Sequence, residues 1–143
     1  MSHPLAILPP MMDDLARTEQ ELLRVVAADG DFLTEIASHL IKAGGKRVRP
    51  GFAMASAAAL DPSGAPATID VVRGGCAVEL VHLGSLYHDD VMDEATTRRS
   101  VPSVNAMWGN HRSILAGDYL ERGDDDVCRY SCRRSAADRR GRR

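Results

Sequence analysis

Three aspartates, Asp89, Asp90 and Asp93, close a long apolar stretch in the order Asp-Asp-Val-Met-Asp. On a helix, Asp89 and Asp93 lie one turn apart and face the same way. His82 falls about two turns earlier on that stripe, with Leu86 between. Carboxylates gathered beside an apolar core repel one another, and a divalent cation removes that cost. Oxygen donors without a thiol favour Mg²⁺, which takes one or two carboxylates and leaves its other positions to water and substrate phosphates. An exposed acidic helix end is the simpler alternative for this motif by itself.

A second group is Gly44-Gly45-Lys46-Arg47-Val48-Arg49-Pro50. The paired glycines free the backbone at a helix end, and three cations follow. Lys46 offers a point charge and Arg49 a planar fork, both suited to a diphosphate. The glycine spacing differs from that of a Walker A loop, and a solvated basic turn remains the alternative. A third group, Arg98-Arg99, stands just beyond Asp93, where cations could hold the outer oxygens of a metal-bound diphosphate. A surface pair is its alternative.

The elements that must position these groups read as helices throughout. Leu15, Leu22, Val25 and Val26 recur at helical spacing between Met12 and Ala28. Asp31 is the expected N-cap of a second helix carrying Phe32, Leu33, Ile36, Leu40 and Ile41, ended by Gly44 and Gly45. Pro50 suits the first turn of a third helix, and Phe52 to Leu60 is alanine-rich and strongly helical. A loop runs from Asp61 to Pro66. Ala67 to Asp93 makes a long helix, with apolar residues throughout and few charges before Asp89, of the kind that occupies the middle of a bundle. Glu94 to Pro102 is a polar connection, and Val104 to Leu120 supplies one or two more helices, interrupted near Gly109. No strand alternation or internal repeat is present, and the fold class is all-α.

Composition narrows the function classes. The chain has 143 residues and a formal net charge of -2, which argues against a nucleic-acid binder. No stretch has the roughly 18 apolar residues of a membrane span. The apolar run Leu5 to Leu8 lacks a cationic start and is too short for a secretory signal. Cys76, Cys128 and Cys132 cannot all pair, so a cytoplasmic location is expected. The net charge averages two unlike segments: residues 1 to 120 carry -5 and residues 121 to 143 carry +3, with 8 arginines and no Leu, Ile, Phe or Met. Such a tail buries too little apolar surface to offset its ordering entropy and is expected to be disordered.

Taken together and in this order, Gly-Gly-Lys-Arg-x-Arg-Pro, His82, Asp-Asp-x-x-Asp and Arg-Arg resemble the trans-polyprenyl diphosphate synthases. Leu86 to Glu94 looks like the first aspartate-rich motif of that family. Asn105, Gly109 and Leu115-Ala116-Gly117-Asp118-Tyr119 resemble the family's next segment downstream. The resemblance covers roughly residues 12 to 120. It implies the N-terminal part of the isoprenoid synthase helical bundle, and a Mg²⁺-dependent prenyltransferase joining an allylic diphosphate to isopentenyl diphosphate. By that similarity Asp89 and Asp93 coordinate Mg²⁺, with Asp90 supporting them as the third catalytic aspartate. Arg98 holds the allylic diphosphate, and Lys46, Arg49, His82 and Arg99 hold isopentenyl diphosphate. Gly84 and Ser85, about one turn before Asp89, fall where bulky family residues stop elongation, and their small size implies an open tunnel and a long product.

The family's second aspartate-rich motif has no counterpart. Asp124-Asp125-Asp126 has Cys128 and Arg129 where further aspartates would be needed. Cys128 and Cys132 alone do not make a metal site. The family resemblance gives way at Leu120 to the Arg-rich tail, as a frameshift or early end in a longer gene would produce. Three readings are open: a prenyltransferase by descent, an inactive helical fragment or a subunit pairing with itself or a full-length synthase, and a stand-alone Mg²⁺-diphosphate binder.

Overall fold

A computed structural model describes residues 10–27, 30–61, 63–123 and 127. The helices are α1 (Met11–Val25), α2 (Asp31–Lys42), α3 (Val48–Leu60), α4 (Ile69–Met92) and α5 (Val104–Trp108), followed by α6 over residues 110–123. Between α4 and α5 the chain forms a small antiparallel hairpin, β1 (Thr97–Arg98) with β2 (Val101–Pro102). The all-α expectation therefore holds, with this hairpin in place of the polar connection. Its strands are too short to display an alternating pattern.

α4 is the organising element. Val72, Cys76, Leu80, Leu83 and Tyr87 recur at helical spacing and are fully buried. They pack chiefly against α3 and α1, whose buried residues include Met54, Leu15 and Leu22. Thr68 caps the helix, its hydroxyl accepting from the Val71 amide at 3.4 Å. α4 approaches α3 closely at Gly75, where a Cβ would lie 3.2 Å from Pro50 Cα. The other side of α4 is not covered: Val78 and Val81 are 46 % and 44 % exposed. Within this chain α4 is thus buried along one face rather than all round.

Polar ties fix the neighbours. The Tyr87 hydroxyl donates to the Ile36 carbonyl at 2.8 Å, joining α4 to α2. The Ser113 hydroxyl donates to the Tyr87 carbonyl at 3.1 Å, joining α4 to α6. Ala116 and Leu120 carry α6 into the same core.

Three local expectations change. Gly30, in extended conformation, is the N-cap of α2, and Asp31 lies inside the first turn, where its charge complements the helix dipole. Pro50 is in the first turn of α3 as expected, but the cap there is Arg47 in left-handed conformation. α6 continues past Leu120 to residue 123, and Val127 is buried. The remainder of the Arg-rich tail, with the Asp124–Asp126 triplet, Cys128 and Cys132, lies outside the described residues, as does Leu5 to Leu8. Among the described residues no helix is long and apolar enough to cross a membrane.

Candidate diphosphate and metal site

The end of α4 sorts its three aspartates into two kinds. Asp89 is half-buried and Asp93 exposed, with the Asp93 amide donating to the Asp89 carbonyl at 2.8 Å. Asp90 is wholly buried. Its Oδ1 accepts from Arg98 Nε at 2.7 Å and Nη2 at 2.5 Å. The hydrogen bond to Asp90, reinforced by the charges of Asp90, Asp89 and Asp93, raises the already high pKa of Arg98 despite partial burial. Arg98 therefore stands among the aspartates, anchored on the buried one.

The backbone beyond α4 is pinned as well. Asn105 Nδ2 donates to the carbonyls of Asp90 at 3.1 Å and Ala95 at 3.0 Å. The Ser103 hydroxyl adds a 2.6 Å bond to Ala95. These bonds hold the turn through Asp93, and with it the spacing of the carboxylates.

The basic loop sorts its three cations in the same way. Lys46 and Arg49 are exposed, whereas Arg47 is buried. Arg47 Nε and Nη2 donate to Glu19 at 2.5 and 3.0 Å, Nη1 to Glu79 at 3.0 Å, and Nη2 also to the Ile41 carbonyl at 3.0 Å. Burial works against that charge, but the bond and charge of Glu19, then those of Glu79, outweigh it and raise the pKa. Arg99 lies beneath the loop: Nη1 donates to the Leu40 carbonyl at 3.0 Å and to the Gly44 carbonyl. A Cβ at Gly45 would lie 2.9 Å from Arg99 Nη1, so a side chain there would have to displace the guanidinium. Arg99 thus has donors committed to the loop backbone, in addition to any role toward a ligand.

His82 is half-buried on α4. Burial pushes its pKa down, as do the charges of Arg49, Arg99 and Arg98, against the opposing charge of Glu79. The imidazole is therefore predominantly neutral at pH 7 and sits in the field of three cations. Ser85 is half-buried, its hydroxyl donating to the His82 carbonyl at 2.8 Å. At Gly84 a Cβ would meet Glu121 Cγ at 2.8 Å and the Gly117 carbonyl at 3.0 Å. Its small size serves the close approach of α6.

Sequence reasoning missed Glu19 and Glu79, the partners of Arg47. Glu79 carried a readable signal, since it is the sole formally charged residue between Arg73 and Asp89 in an otherwise apolar helix.

Asp89 and Asp93 supply hard oxygen donors one turn apart, with Asp93 open to solvent. Among the described residues no three His, Cys, Asp or Glu side chains converge into a closed metal cage. A pair of carboxylates fits Mg²⁺, which retains water and phosphate ligands. It does not fit a structural zinc site.

Comparison with known proteins bears on this arrangement. The Polyprenyl synthetase family model matches residues 30–123. The nonaprenyl diphosphate synthase of Mycobacterium tuberculosis is 46 % identical over 106 residues, covering 74 % of this chain and 31 % of that protein. Heptaprenyl diphosphate synthase component 2 of Geobacillus stearothermophilus is 42 % identical over 110 residues, covering 77 % of this chain and 33 % of that one. A polyprenyl synthase from Caulobacter crescentus, crystallised with calcium and isoprenyl diphosphate, superposes with a TM-score of 0.78 at 29 % identity, covering 90 % of this chain and 38 % of that one. The chain thus spans about a third of the length of the relatives it matches.

Proposed function

Because the chain belongs to the polyprenyl synthetase family, we propose that it supplies the diphosphate-binding part of a prenyltransferase, which extends an allylic diphosphate with isopentenyl diphosphate. The observation that carries this reading is the sorting of charge along α4. Asp89 and Asp93 stand at its end, and His82 lies two turns earlier in the field of Arg49 and Arg99.

Asp89 and Asp93 would hold Mg²⁺, which when bound neutralises the diphosphate leaving group. Asp90 holds Arg98 in place, and Arg98 presents its remaining donor capacity to the allylic diphosphate. Lys46, Arg49 and neutral His82 would receive the diphosphate of isopentenyl diphosphate, with Arg99 contributing charge from beneath. As the allylic C–O bond breaks, the carbon becomes cationic. The isopentenyl double bond attacks it, and loss of a proton completes a chain longer by one isoprene unit. Positioning and electrostatics perform this chemistry without a protein nucleophile. Ser85, beside His82, is the position from which side-chain bulk would limit product length.

A second reading is favoured by two observations: relatives include component 2 of a heptaprenyl diphosphate synthase, and α4 leaves Val78 and Val81 exposed. In it the chain works only with another polypeptide, either a second copy or a complete synthase. In either reading the synthase-like part runs to residue 123, and the Arg-rich residues after it form a separate tail.

One assay separates these possibilities. The purified chain is incubated with Mg²⁺, isopentenyl diphosphate and a labelled allylic diphosphate. Labelled prenyl product from the chain alone supports turnover. Binding without product, restored to turnover by a complete synthase carrying an inactivating mutation of its own, supports the partner reading. Absence of diphosphate binding under all conditions overturns both.

A further inference from the structure

Glu79 stands between two arginines that secure opposite sides of the basic loop. It is 2 % exposed, and its Oε1 lies 3.0 Å from Arg47 Nη1 and 3.8 Å from Arg99 Nη2. Arg47 ties the loop to Glu19 on α1 and to the end of α2. Arg99 ties the same loop, through Leu40 and Gly44, to the hairpin after α4. Without the Glu79 charge, the two guanidinium groups would oppose each other where solvent screens them little.

Arg47 also adopts φ 44°, ψ 42°, a left-handed conformation that strains a non-glycine residue and persists only where surroundings over-determine it. The four bonds on its guanidinium do so. That turn directs Arg47 inward and leaves its neighbours Lys46 and Arg49 exposed. Glu79 also lies about one turn from His82 on α4, so the loop's anchor and the imidazole share one helix face.

We propose that Glu79 is a positioning residue for the anion-binding loop, holding the left-handed turn at Arg47 so that Lys46 and Arg49 meet a diphosphate beside His82. It touches no ligand itself. The proposal rests on the reading of Lys46, Arg49 and His82 given above.

The test titrates inorganic diphosphate into the full chain by calorimetry, once with EDTA and once with excess Mg²⁺, for wild type, Glu79→Gln and Glu79→Asp. Glu79→Gln is expected to weaken metal-free binding roughly 10-fold while changing Mg²⁺-supported binding by less than about 2-fold, the scale on which outer partners tune a site. Glu79→Asp keeps the charge and is expected to recover part of the loss. Equal weakening in both conditions would mark general destabilisation and overturn the proposal, as would unchanged metal-free affinity. Should Glu79→Gln not fold, Glu79→Asp decides, with a loss of roughly 3-fold expected in EDTA alone and no loss overturning the idea. Wild type that binds no diphosphate in EDTA overturns the underlying assignment of the basic loop, a result distinct from failure of the variants.

Discussion

The carboxylate of Asp90 and the guanidinium of Arg98 form a two-bond ion pair in which the acid is wholly buried and the base is 29 % exposed. The pair closes the chain between α4 and β1 into a fixed turn. The middle aspartate of the motif is therefore the anchor of the site, while Asp89 and Asp93 stay available.

Removing the exposed partner should be costly. Arg98→Ala leaves Asp90 charged and buried, and breaking such a pair typically costs ~3–5 kcal/mol. Urea unfolding of the variant should show a loss on that scale. The double variant Asp90→Asn, Arg98→Gln should lose clearly less, because no buried charge is left unpaired.

Tyr87 offers a gentler probe of the same region. Its buried hydroxyl donates to the Ile36 carbonyl at 2.8 Å. Burial raises its pKa, so the phenol stays protonated. Tyr87→Phe keeps the ring packing and should cost about 1 kcal/mol, the net worth of one such bond. Thermal denaturation would check it, and an unchanged midpoint would refute the tie between α2 and α4.

Neighbouring small residues should respond in opposite ways. Gly84→Leu drives a side chain into Glu121 and the Gly117 backbone, an overpacking expected to cost about 1–3 kcal/mol. Ser85→Phe starts from a half-buried position and should be better tolerated. If it borders the elongation path, the same change in an active full-length relative should shorten the product. An unchanged product distribution removes Ser85 from that role.

Two groups set the pH dependence of stability. The Arg24 hydrogen bond and then that of Arg73, against opposing burial, lower Glu21 from 4.5 to about 2. Its contribution is complete above the unfolded value of 4.5 and is lost as pH falls toward about 2. Glu21→Gln should flatten the stability profile across that window. His82 has a folded pKa below its ordinary 6.5, chiefly through burial. Protonation therefore opposes folding as pH drops through that range, and His82→Gln should lose less stability than wild type between about pH 7 and pH 5. A bound diphosphate should move the His82 pKa upward, observable by NMR titration of the imidazole.

Much of this architecture was legible in the residues. Ile69 to Met92 lacks proline and repeats its apolar residues at helical spacing, so α4 stood out together with the carboxylates at its end. Gly109 marked the break between α5 and α6 correctly. The hairpin was hidden because each strand is only two residues long. Asp31 looked like a cap because acids favour both the cap and the first turn, which sequence alone does not separate. Spacing set Asp89 and Asp93 apart from Asp90, but the burial of Asp90 against Arg98 could not be read, since it lies in which face of α4 meets that arginine. Lys46 and Arg49 were singled out as ligands, but the burial of Arg47 between them was not legible: its inward direction depends on a left-handed backbone that arginine rarely adopts. Charge type marked the candidate site, and backbone geometry divided it into exposed charges and buried ones.

The hairpin places adjacent arginines on opposite duties. Arg98 lies in β1 and reaches Asp90. Arg99 opens the loop with φ 53°, followed by Ser100 with φ 65°, the positive values that a two-residue reversal demands. Deletion of one residue between Met92 and Arg98 would bring Arg99 to the place of Arg98, and insertion of one would bring Thr97 there; either would leave the loop at Gly44 without its clasp. Natural length variation should therefore be purged from this segment far more strictly than from the Asp61–Pro66 connection, and a library of single-codon insertions selected for folding would record that contrast.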